Sequence, residues 1–94
     1  MKAIWQGHVI AQSERTIVLG GHHYFPCECV DQAYLGDSPQ RGQHPVAGEL
    51  CYYHLQSPDG PQEQNAAWLV VAPQGEMAIL ADHIGFELCV DVIS

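Results

Sequence analysis

With 94 residues, and three Lys and Arg against eleven Asp and Glu for a net charge of −8, the chain reads as one small acidic domain spanning 1–94. That charge repels phosphates and anionic lipid headgroups, which argues against nucleic acid or a membrane surface as partner. No apolar run approaches the ~18 residues of a membrane span and no leader-like apolar stretch follows Lys2, so a cytoplasmic protein is expected, with Cys27, Cys29, Cys51 and Cys89 reduced.

In chain order the punctuation is that of antiparallel β structure. Ala3 to Trp5 and His8 to Ala11 flank Gln6-Gly7, a hairpin turn in which glycine supplies the positive φ. A polar turn at Ser13 to Arg15 leads to Thr16 to Leu19, and Gly20-Gly21 marks a second turn before His22 to Phe25. From Cys27 to Leu35 the period changes: Val30, Ala33 and Tyr34 fall at i, i+3 and i+4, predicting a short helix that Gly36 ends. Gly36 to Gly48, with three glycines and two prolines in thirteen residues, reads as a long functional loop.

Glu49 to Leu55 reads as a strand with Leu50, Tyr52 and His54 on one face and Cys51, Tyr53 and Leu55 on the other. Ser57 to Pro61, with Asp59 a solvated turn charge, breaks it. Ala66 to Ala72 is an apolar strand, and Pro73 to Leu80 has room for one helical turn. The alternation of Ile84, Phe86, Leu88, Val90 and Val92 against Gly85, Glu87, Cys89 and Asp91 predicts one closing strand. The expected fold is mainly β, a tent or half-open barrel with one or two short helices.

The densest chemistry lies in His22 to Val30, which crowds two imidazoles, two thiols, a carboxylate and two aromatics into one bend. Three readings compete. In the first, a shallow cleft lined by Tyr24, Glu28, His44, Tyr52 and Trp68 binds a small molecule or a protein, the aromatics providing an apolar body and the polar tips a wet mouth. In the second, Cys27, Cys29 and His44 form part of a zinc site, zinc being the one cofactor these donors suggest. Against it, Cys27 and Cys29 would project about 200° apart on a helix at ~100° per residue, and free thiols usually pack as small hydrophobes. In the third, Cys27 is a nucleophile at the start of a helix; Glu28 beside it raises rather than lowers a thiol pKa. No triad pattern, nucleophile elbow or zinc-protease motif is present, so a non-catalytic role is favoured. Open edge strands in so small a sheet would allow a homodimer.

Met1 to Gly7, Val9 to Ala11, His23-Tyr24-Phe25-Pro26, the Pro45 to Gly48 stretch, Tyr52-Tyr53 and Asn65-Ala66-Ala67-Trp68 together resemble the family called domain of unknown function 427, sometimes labelled nucleotidyltransferase-like. The resemblance implies a small antiparallel β fold similar to the β-tent of the Mss4-like group. His44 stands where that family usually has cysteine, its Trp-Lys pair is missing from Gly42 to Gly48, and Gln6 replaces a usual Asn. Nucleotidyl transfer needs a close carboxylate pair for Mg²⁺ and a phosphate cradle. No two acids here lie two apart, and no glycine-rich loop carries a lysine.

Overall fold

The computed structural model describes residues 1–45, 48–58 and 60–94. Val46 and Ala47, inside the stretch that resembles the family loop, and the expected turn charge Asp59 lie outside the described residues.

The chain forms two antiparallel sheets with no closed barrel. Strands β1 (Lys2–Trp5), β2 (His8–Gln12) and β9 (Asp91–Ile93) make the smaller, in the order β2-β1-β9. The larger runs β3-β4-β8-β7-β6-β5, built from β3 (Ile17–Leu19), β4 (His22–Pro26), β5 (Leu35–His44), β6 (Gly48–Gln56), β7 (Gln62–Val70) and β8 (His83–Phe86). Both N-terminal hairpins form as the turn residues require. At the first, Gln6 (φ 51°) and Gly7 (φ 78°) are both left-handed, the combination that matches the twist of a two-residue hairpin.

The expected helix over 27–35 does not form. Two single 3-10 turns, Cys27–Cys29 and Gln32–Tyr34, flank Val30, whose extended backbone (φ −99°, ψ 131°) bridges to Ala11 of β2. Val30 is buried whereas Ala33 is exposed, so the helical spacing corresponds to no buried stripe. Asp31 secures the second turn by accepting a hydrogen bond from the Ala33 amide at 3.0 Å.

The expected loop over 36–48 is largely β5, the ten-residue outer strand of the large sheet. It pairs with β6 on one side only, so its side chains are largely half-buried or exposed and its composition is polar. Its register slips between Asp37 and Arg41, and the bulge takes in Pro39, which has no amide to give to a ladder.

The final alternation divides into two strands. β8 lies between β4 and β7 of the large sheet, a turn closed by the Val90 amide on the Glu87 carbonyl (3.0 Å) carries the chain across, and β9 pairs with β1. Leu88, expected on one strand face with Ile84 and Phe86, sits in that turn and is 83% exposed.

Two apolar clusters result, one on each face of the large sheet. Ala3, Trp5, Ile10, Phe25, Leu55, Ala67, Ile84 and Phe86 fill the space between the sheets. On the other face Tyr24, Leu50, Trp68, Val70 and Leu80 pack together, with Leu80 supplied by the 3-10 segment Gly75–Leu80 that covers part of this side. The rest of that face is open.

Candidate functional site

The open face owes its shape to the register of the large sheet. Tyr24 of β4 pairs with Gly85 of β8, Gly85 with Trp68 of β7, and Trp68 with Tyr52 of β6. Directly paired residues project to the same side, so three large rings and one glycine form a transverse row. Gly85 is what makes the row fit. A Cβ there would stand 2.8 Å from Tyr24 Cε2 and 2.9 Å from both Trp68 Cε2 and Nε1, inside any tolerable contact. Gly42 of β5 plays the same part for Tyr52, whose ring lies 2.8 Å from where its Cβ would be.

Trp68 is the centre of the arrangement. Its indole N–H donates to the Tyr24 hydroxyl at 3.1 Å, and the rings of His22, Tyr24 and Tyr52 approach it at 5.0, 6.1 and 6.3 Å between centroids, all at steep angles. Such edge-to-face contacts stabilise the cluster by about 0.5–1.5 kcal/mol each beyond burial. His22, two residues before Tyr24 on β4, is held from behind: its Nδ1 lies 3.1 Å from the Phe86 carbonyl. A carbonyl only accepts, so Nδ1 carries the proton, and in the neutral ring Nε2 keeps a lone pair.

Above this floor is an open cleft of about 270 Å³, bounded by His22 and Tyr24 on β4, Leu50 and Tyr52 on β6, Trp68 on β7, Gln43 and His44 at the end of β5, and Glu87 just beyond β8. Of the five residues expected from sequence to line a cleft, Tyr24, His44, Tyr52 and Trp68 come together here. Glu28 does not. It sits on the 3-10 turn after β4, where Arg15 reaches its carboxylate at 3.5 Å with both side chains largely in solvent. His22, Gln43 and Glu87 are polar members of the cleft that the sequence pattern does not single out. A lone glycine inside the β8 pattern was the available signal, since glycine in a strand interior marks the close approach of other groups.

The three expected zinc ligands are dispersed. Cys27 lines a hollow with Pro26, Glu28, Asp82 and His83, Cys29 faces Val9 to Gln12 and Asp31, and His44 belongs to the aromatic cleft. At three residues per turn, positions 27 and 29 of a 3-10 turn still point about 120° apart. Among the described residues no three His, Cys, Asp or Glu side chains are grouped to hold a metal. Cys27 and Cys89 are not activated as nucleophiles. Burial, and then the Asp82 carboxylate, push the Cys27 thiol up from its ordinary value of 9.0, while burial and Glu63 do the same to Cys89. Both shifts favour the inert protonated thiol. All four cysteines are free.

Among the described residues two buried nitrogens, Trp5 Nε1 and His23 Nδ1, find no partner; Trp5 lies in the core between the sheets and neither lines the aromatic cleft. No helix among the described residues is long and apolar enough to cross a membrane.

A family model described as domain of unknown function (DUF427) matches residues 1–93. No curated protein matches the chain.

Proposed function

The chain belongs to the domain of unknown function 427 family, and from its geometry we propose that it is a non-catalytic binding module whose ligand enters the aromatic cleft. The observation that carries this reading is the convergence of His22, Tyr24 and Tyr52 on Trp68, with polar groups at the rim and two glycines reserved for the rings. A concave, largely aromatic surface with a few convergent polar groups suits a small organic ligand better than a flat protein partner. The single carboxylate of the lining, Glu87, together with the net charge of −8, disfavours anions. Nucleotidyl transfer finds little support in the same lining, which offers neither paired carboxylates for Mg²⁺ nor a cation for phosphate. Four free cysteines fit a reducing, cytoplasmic setting.

The experiment is a fragment screen read by the indole N–H signal of Trp68, with Tyr52→Ala and His44→Ala as site variants and Glu28→Ala as control. Tyr52 and His44 are half-buried at the rim, so their loss should spare the fold. Binders are expected to shift Trp68 and to lose affinity in both rim variants but not in the control. Hits that leave Trp68 unmoved, or that bind the rim variants as well as the unaltered protein, would overturn the reading.

A further inference from the structure

Resting on the cleft reading, we propose that the ligand is an uncharged planar molecule bearing a carboxamide or lactam, whose carbonyl takes the Tyr24 hydroxyl proton and whose N–H donates to His22 Nε2. The inference follows from hydrogen-bond accounting at the floor. A phenol has one proton to give and lone pairs to receive. Tyr24, only 1% exposed, spends an acceptor position on the Trp68 indole, which can only donate, and no acceptor among the described residues takes its own proton. Leaving a buried donor unused is costly, so the floor offers this proton to an acceptor that enters the cleft.

His22 provides the complement. The Phe86 carbonyl fixes the Nδ1–H tautomer, which leaves Nε2 as an acceptor on a side chain that also lines the cleft. The two groups stand at i and i+2 of β4, on the same face of one strand and against the same indole. One donor and one acceptor on the same face of one strand match the paired acceptor and donor of an amide. Flat aromatic surroundings favour a planar body around it. A cation or anion at that depth would find no opposite charge on the floor and would lose its hydration uncompensated, because Glu87 lies exposed at the rim.

The test compares four probes built on one phenyl ring on the unaltered protein: benzamide, N,N-dimethylbenzamide, benzylamine and benzoate, each titrated while the Trp68 indole N–H resonance is followed. Benzamide is expected to bind about tenfold more tightly than each of the others, the ratio one neutral hydrogen bond supports. His22→Phe keeps the ring and removes the acceptor, so benzamide should lose about tenfold while N,N-dimethylbenzamide, which has no N–H to give, is unchanged. Tyr24→Phe should weaken both amides, and because it also takes the acceptor from Trp68, the His22 result stands as the independent measure. Benzylamine or benzoate binding as tightly as benzamide, or His22→Phe leaving benzamide unaffected, would overturn the amide assignment and leave the cleft standing. If none of the four moves Trp68, both the assignment and the cleft reading fall.

Discussion

The sharpest consequence of the structure is that Gly85→Ala should damage the protein although its backbone is unstrained. Its φ lies outside the left-handed region, so alanine is conformationally welcome there and should even gain a few tenths of a kcal/mol in strand preference. The cost is steric. A methyl placed 2.8 Å from Tyr24 Cε2 and 2.9 Å from two Trp68 atoms is about 1 Å closer than carbon atoms sit at their optimum. These are ring atoms of residues 1% and 5% exposed; Trp68 meets three other rings and Tyr24 is tied to it by the indole hydrogen bond, so neither swings aside freely. Overpacking of this kind costs about 1–3 kcal/mol, and displacing the indole forfeits the Trp68 to Tyr24 hydrogen bond, worth about 1 kcal/mol. The expected net is a loss of roughly 2–3 kcal/mol, or about 10–20 °C in Tm for a domain of this length. Urea unfolding followed by tryptophan fluorescence measures the loss, and the Trp68 indole N–H shift reports whether the row has moved. Gly36→Ala is the matched comparison: its methyl would also approach 2.7 Å, but to the free end of Gln56, which can rotate away. A Gly85→Ala protein within about 0.5 kcal/mol of the parent, with Trp68 unshifted, would refute the argument that glycine reserves this space.

Three further outcomes are expected. Gln6→Asn should raise stability by about 0.5–1 kcal/mol, visible as a higher urea midpoint, because asparagine tolerates the left-handed conformation (φ 51°) better than glutamine; an unchanged or lower midpoint would contradict the turn assignment. The raised thiol pKa values of Cys27 and Cys89 mean that the folded state holds those protons more tightly than the unfolded chain. Their contribution to stability is therefore full below the ordinary value of 9.0 and is lost as pH rises through the raised values. Alkylation of both at pH 8 should accordingly run slower than that of an unstructured cysteine peptide, and a faster rate at Cys27 would revive thiol chemistry. Glu28→Ala should change stability by less than about 0.5 kcal/mol, since its contact with Arg15 is 3.5 Å long and the two side chains are 75% and 79% exposed; a larger loss in chemical denaturation would show that this turn depends on the pair.

What could be read in the sequence was whatever depends on neighbours in the chain. Gln6-Gly7 and Gly20-Gly21 announce tight turns because only residues that accept positive φ can close them, and both hairpins follow. The apolar runs at Ala66 and Ile84 announce buried strands, and their continuous burial follows from apolar clusters on both faces of the large sheet. Tyr52 and Trp68 were recognisable as cleft candidates for the same reason: their strands present them to a known face.

Local pattern and structure part where distant partners outweigh it. Val30, Ala33 and Tyr34 carry helical spacing, yet the pairing of Val30 with Ala11 across the fold holds that backbone extended. Gly36 to His44 has loop composition because an outer strand is wetted along one edge and needs few apolar residues; only the existence of β6 beside it makes it a strand. The last alternation is continuous in sequence but serves two sheets, and Leu88 is exposed because the chain must turn between them.

The candidate site divides along the same line. The chain by itself determined that aromatics and imidazoles would lie on short antiparallel strands, that the charge is strongly negative, and that no close carboxylate pair or phosphate loop is present. Tertiary structure alone decided which of them meet. Cross-strand register, a property of pairs far apart in the chain, put Gly85 between Tyr24 and Trp68, drew His22 and His44 to the same cleft and left Glu28 outside it. A single-residue slip in any of those pairings would turn the row to the opposite face.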